Sequence, residues 1–244
     1  MKKIFLLLIL MLTFLIKAQT SEPSIQQLLD KIYQKYDDSC KIKEDIYLKK
    51  FTAKYKKSQL SLDQILAKDE DYKNASLRYQ QETIQFNENK IRDLENLVSE
   101  VEKTHPFLGK KMVGYLKEGK TMEDIQSSPL YKNLEVTLIS EEEFNKNETE
   151  FTSVSAPIIR KEIFNNFPTY LLENKDGETL RTKLSFFVDT DGSLKRVRSS
   201  GENIEFNLLG ILSLYSIKNK INPVKYKGEN VIATFGIPLT LNFQ

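Results

Sequence analysis

Thr182-Lys183-Leu184-Ser185-Phe186-Phe187-Val188-Asp189-Thr190-Asp191-Gly192 is the stretch whose reading decides the fold. Thr182, Leu184, Phe186 and Val188 alternate with Lys183, Ser185 and Phe187, the period-two pattern of a strand with one buried face. Asp191-Gly192 then marks a chain reversal, because this pair tolerates the positive φ that a tight turn needs. Leu194 and Val197 belong to a second strand that ends at Ser199-Ser200-Gly201. Beyond it, Ile204, Leu208, Ile211, Leu212 and Tyr215 recur at helical spacing, and Asn219 and Pro223 stop that helix. The chain finishes on a long alternating run. Val231, Ala233, Phe235, Ile237, Leu239, Leu241 and Phe243 share one face, and Ile232, Thr234, Gly236, Pro238, Thr240 and Asn242 share the other. Pro238 removes a ladder donor, so this strand is expected at a sheet edge or at a bulge.

Upstream the period changes to 3.6. Ile25, Leu28, Leu29, Ile32, Tyr33 and Tyr36 form one helix face, and Ser24 with Gln27 gives a capping box at its start. Ser61 and Gln64 repeat that signature ahead of Ile65 and Leu66. From Tyr72 to Lys103, Leu77, Ile84, Ile91 and Val98 recur every seven residues. Half of the alternate seam is polar (Gln80, Asn87), so an antiparallel hairpin or small bundle is expected there, not a free coiled coil. His105-Pro106 ends that helix. Phe107, Leu108, Met112, Val113 and Leu116 predict a shorter one, punctuated by Gly119 and Thr121, with Thr121 and Asp124 as a further cap. Residues 141–156 are polar and acidic (Glu141, Glu142, Glu143, Asn145, Asn147) and read as a linker. The resulting division is a signal peptide at 1–18, a helical domain at 19–140, the linker at 141–156, and a small α+β domain at 157–244.

The first residues, Met1-Lys2-Lys3, precede an apolar run from Ile4 to Ile16 that Lys17-Ala18 closes. At 13 residues it falls short of the ~20 that a membrane-spanning helix needs. It fits a secretory signal, with cleavage expected near Ala18 and delivery to the periplasm. Loss of Lys2, Lys3 and Lys17 takes the formal charge from +2 to −1. That leaves no basic footprint for nucleic acid.

No catalytic constellation stands out. The single His105 neighbours a helix-ending proline, and the single Cys40 sits among Asp37, Asp38 and Lys41 without a base or a second thiol. Asp189-x-Asp191-Gly192 superficially matches a calcium loop, but the position six beyond Gly192 is Arg198, where that loop needs Glu. The expectation is no enzyme, no cofactor and no metal.

Phe167-Pro168, the hairpin from Phe186 to Gly201, the following helix, Ile221-Asn222-Pro223-Val224, Lys227-Gly228-Glu229-Asn230-Val231 and the closing Ile237-Pro238-Leu239 to Phe243 together resemble the TonB C-terminal domain family. The resemblance covers about 157–244. It departs from the family in having no Trp, and in shifting the Gly ahead of the first strand into Lys175-Asp176-Gly177-Glu178. It implies a two-layer fold, an antiparallel sheet with two helices on one face, beside a helical N-terminal domain. It also implies protein binding, with an extended peptide of an envelope or outer-membrane protein added to the sheet edge as a strand. On this sequence the implied contact positions are Val231, Thr234, Thr240 and Asn242. Two alternatives stay open: a structural, self-associating periplasmic protein, or an energy transducer if the N-terminal segment is retained as an anchor.

Overall fold

The computed structural model describes residues 23–56, 58, 60–115, 123, 127–173, 177–217 and 221–243, except the side chains at 130 and 147–154. The expected signal peptide, the cap at Thr121 and Asp124, and the helix stop at Asn219 lie outside the described residues. The fold is α+β, with a helical N-terminal part and a small antiparallel sheet.

Helix α1 (Ile25–Tyr47) starts at the Ser24/Gln27 capping box and buries Leu29, Tyr33 and Tyr36. Two short helices, α2 (Lys49–Tyr55) and α3 (Leu62–Lys68), turn the chain, the latter through the Ser61/Gln64 box. The long α4 (Glu70–Lys103) begins at Asp69, whose carboxylate caps the Tyr72 N–H and also takes Lys54 and Tyr55 at 2.6 Å each. It runs back antiparallel along α1. Asp93 holds Lys35 and Tyr36 at 2.8 Å, and Glu82 holds Lys43 and Tyr47 at 2.7 Å. The heptad stripe splits along its length. Ile91 and Val98 pack on the core, whereas Leu77 and Ile84 overhang it, 48% and 60% exposed.

Two stretches depart from the sequence expectation. Met112 and Val113 lie not on a helix but in strand β1 (Lys111–Gly114), parallel to β2 (Glu135–Leu138). Their side chains leave the strand on opposite sides. Val113 enters the main core, and Met112 joins Phe187 and Ile232 in a second cluster. The residues 141–156, expected as a linker, form the first part of helix α5 (Glu141–Asn166). Ser140 caps it, accepting the Glu143 N–H at 3.1 Å, and the three glutamates sit where a helix N-terminus favours negative charge. Helix continues through Pro157 and buries Ala156, Ile159 and Ile163.

Strand β3 (Thr179–Val188) is central, flanked by β4 (Leu194–Ser200) and β7 (Ala233–Asn242), both antiparallel to it. The β3–β4 turn is the one the sequence announces. The Gly192 N–H donates to the Asp189 carbonyl at 2.9 Å, and Gly192 has φ +80°. Helix α6 (Ile204–Tyr215) follows, and then a hairpin of β5 (Val224–Tyr226) and β6 (Glu229–Val231). That hairpin turns on Lys227 and Gly228, both at positive φ.

Helix α6 shows no single apolar face. Phe206, Leu209, Leu212 and Leu214 are buried around its circumference, while Ile204, expected on the core side, is 57% exposed. The cause is its position between the sheet on one side and α4 and α5 on the other. The helical part and the sheet therefore share one apolar core, which runs from Leu29 and Leu94 through Ile159 and Phe206 to Phe186 and Phe235. Glu205 links them further, taking the Tyr33 hydroxyl of α1 and the Lys90 ammonium of α4, the latter at 2.9 Å. Arg198 of β4 meets Glu102 of α4 through two bonds, at 2.8 and 3.0 Å.

Candidate functional site: the outer edge of the last strand

Opposite residues on β3 and β7 pair from Thr179–Asn242 to Val188–Ala233. Just beyond the strand, the Phe243 N–H donates to the Glu178 carbonyl at 3.0 Å. In an antiparallel pair, successive residues turn their backbone groups alternately toward and away from the partner. Odd-numbered residues of β7 therefore face β3, and even-numbered ones face outward. Ile232, an even position, agrees: it donates to the Lys111 carbonyl and accepts the Val113 N–H, both at 2.9 Å, on the β1 side. Pro238 is even too, so its missing N–H costs the ladder nothing. This is the edge placement that its presence in the run predicts.

Beyond Ile232, β1 peels away from β7, and Gly114 turns its carbonyl to the Ile139 N–H at 2.9 Å. A cleft of about 260 Å³ opens at the divergence, with Thr234, Gly236, Tyr115 and Phe144 in its walls. Among the described residues no strand pairs with the outward groups of Thr234, Gly236, Pro238, Thr240 and Asn242. An exposed row of this kind accepts another strand.

The four residues picked out from sequence separate here. Thr234 lines the cleft, and its Oγ1 is buried without a hydrogen-bond partner. Thr240 and Asn242 are exposed on the edge, and Asn242 accepts the Thr179 hydroxyl at 3.0 Å. Val231 does not belong with them. It ends β6, pairs with Val224 and is 3% exposed in the core, so its side chain meets no partner.

The open face of the sheet beside this edge is basic and small. Arg181 and Lys183 project from β3, opposite Thr240 and Pro238. The lysine and Gly236 are site residues that the sequence reading passed over. Alternation places both on the open face, but their proximity depends on strand register. At the far end that face is covered by Phe107 and Tyr131, edge-on to Phe187. An ion pair at 2.6 Å, Lys111 to Glu229, straps β1 to β6, and the lysine holds the Glu229 carboxyl below its ordinary range.

The residues considered for chemistry in the sequence lie apart from this edge. The Asp189 carboxylate is fully buried and takes the N–H groups of Leu108, Gly109 and Thr190 at 2.6, 3.0 and 2.7 Å. His105 Nδ1 bonds the Val101 carbonyl at 2.7 Å, and its ring packs on Tyr215. Cys40 is half-buried, and burial pushes its thiol up. Among the described residues no group of three His, Cys, Asp or Glu side chains converges on a metal position, and no helix is long and apolar enough to cross a membrane. No protein-family model, curated protein or solved structure matches the chain.

Proposed function

We propose that this chain is a cell-envelope protein-binding module that captures an extended peptide by strand addition along β7. The observation that carries the reading is the row of outward backbone groups from Thr234 to Asn242, with which no strand among the described residues pairs, beside a cleft. The arrangement suits the resemblance to TonB C-terminal domains, whose sheet edge would receive a segment of an outer-membrane or other envelope protein. Export rests on the apolar run from Ile4 to Ile16. Main-chain bonds would supply affinity, and alternate side chains the specificity.

The test is hydrogen exchange on the intact protein with and without a partner captured from envelope extract. Strand addition protects the amides of Thr234, Gly236, Thr240 and Asn242 on binding, while odd-numbered neighbours, already bonded to β3, change little. Protection elsewhere on the molecule, with those four unchanged, rules the reading out.

One observation favours a second reading. Leu77 and Ile84 form an exposed apolar overhang on α4, suited to self-association through the helical half. Concentration-dependent sedimentation that Leu77→Glu abolishes would support it.

A further inference from the structure

The cleft beside Gly236 is furnished for an anion. Lys183 stands opposite Pro238 on the neighbouring strand, and its Cε lies 3.2 Å from where a Cβ on Gly236 would stand. Its stem therefore drapes across the one β7 position that has no side chain. That passage spans roughly one strand spacing, about 4.8 Å, and carries the end of the side chain over β7 beside the cleft. Lys183 and Ser185 line the cleft together with Thr234, whose buried Oγ1 has no partner. Neither Lys183 nor Arg181 has an ion-pair partner among the described residues. The side chains that β7 itself presents on this face, Thr234, Gly236, Pro238, Thr240 and Asn242, are uncharged.

We infer that the peptide accepted along β7 is acidic: it sets an Asp or Glu side chain on the open face beside Gly236. There its carboxylate pairs with the Lys183 ammonium. The inference rests on strand addition at β7 and names the class of its ligand. Because the Lys183 stem passes over a bare backbone, Gly236 acts as a specificity position. A larger side chain there would bar the ammonium while leaving the outward backbone groups in place.

The test pans a random-peptide display library against the intact protein and against its Lys183→Glu, Gly236→Val and Thr240→Pro variants, each checked for an unchanged melting transition. Clones recovered on the parent protein should be enriched in Asp and Glu. A synthetic peptide from such a clone should weaken about fivefold when its acid is replaced by the amide, the scale of one exposed ion pair. Lys183→Glu should turn the enrichment toward Lys and Arg, and Gly236→Val should erase the acidic bias. Peptides that show no acidic bias yet are lost on Thr240→Pro would overturn the acidic ligand and leave strand addition standing. If no recovered peptide is sensitive to Thr240→Pro, strand addition falls and the acidic ligand falls with it.

Discussion

The Leu108 amide donates to the buried Asp189 carboxylate at 2.6 Å, tying the chain that leaves the long helix to the tip of the first hairpin. Gly109 adds a second bond at 3.0 Å and Thr190 a third at 2.7 Å. Replacing Asp189 by Ala strands these donors in the interior. A buried unsatisfied donor costs roughly 1–3 kcal/mol, so Asp189→Ala should destabilise the protein by about 3 kcal/mol or more in urea unfolding. Exchange of the Leu108 and Gly109 amides should accelerate in the same variant. Unchanged protection there would show that the carboxylate is not their anchor.

A second constraint lies at the same turn. A Cβ on Gly192 would come within 1.7 Å of the Ile221 carbonyl oxygen, and the backbone there has φ +80°. The conformation alone costs a side-chain-bearing residue roughly 1–2 kcal/mol. The clash is with backbone, which cannot rotate aside. Gly192→Ala should therefore cost about 2 kcal/mol or more in melting experiments and displace the segment that leads into β5. Gly177→Ala serves as the control, since nothing lies within 4 Å of its Cβ position although its φ is +77°. It should show the conformational cost without the clash.

Burial, and then the Glu205 carboxylate beside it, pushes the Tyr33 phenol well above its ordinary range. A proton held more tightly in the folded state adds stability that is complete below the unfolded value, about 10, and is lost as pH rises past it. The contact of α1 with α6 should accordingly loosen above about pH 10. Melting curves at pH 8 and about pH 11 should fall further apart for the parent than for Tyr33→Phe. Equal separations would remove Tyr33 from the alkaline transition.

The hairpin, the terminal strand and α1 were legible because each buries one face, and a single face leaves a single period. Met112 and Val113 defeat that reading. As adjacent residues entering two different clusters, they leave an apolar doublet that a helix produces equally well. Helix α5 was hidden by its acidic first half, whose role is electrostatic and not apolar, and by Pro157, which reads as a boundary. The shared core did leave a trace in sequence. Phe206, Leu209 and Leu214 are apolar off the expected stripe of α6, the mark of a helix covered on every side. At the site, Pro238 announced an edge or a bulge, and the strand is an edge with unbroken register. The cleft was out of reach because it depends on β1 meeting Ile232, some 120 residues away along the chain by their numbering.

That shared core changes what a core substitution should do. Phe235 is 6% exposed and packs near Phe186, with ring centroids 6.5 Å apart. Phe235→Ala should cost about 3–5 kcal/mol. Because the same core includes Leu29 and Leu94, the loss should lower one cooperative transition that encompasses the helices too. Far-ultraviolet dichroism and a fluorescent probe on α1 should report coincident midpoints. A helical part that stays folded after the sheet melts would mean two independent units.

The alternation of β7 makes its sharpest prediction in proline substitutions. Odd residues spend their N–H on β3, so Leu239→Pro or Leu241→Pro removes a ladder bond and drives the ring toward the neighbouring strand. Each should cost about 2–3 kcal/mol. Even residues face outward, where Pro238 already stands without harm. Thr240→Pro and Asn242→Pro should leave the melting temperature nearly unchanged, apart from the loss at 242 of the exposed bond to Thr179. Their effect belongs to binding. Each removes a donor that an added strand would use and pushes a ring into its path, so peptide capture should drop at least about fivefold, the loss of one hydrogen bond or more. The contrast between odd and even positions separates this model from a general loss of structure, because a merely structural edge would lose stability and capture together. Full capture by both Thr240→Pro and Asn242→Pro, with the fold intact by circular dichroism, would exclude β7 as the docking edge. Self-association through the overhang at Leu77 and Ile84 would then be the reading to pursue.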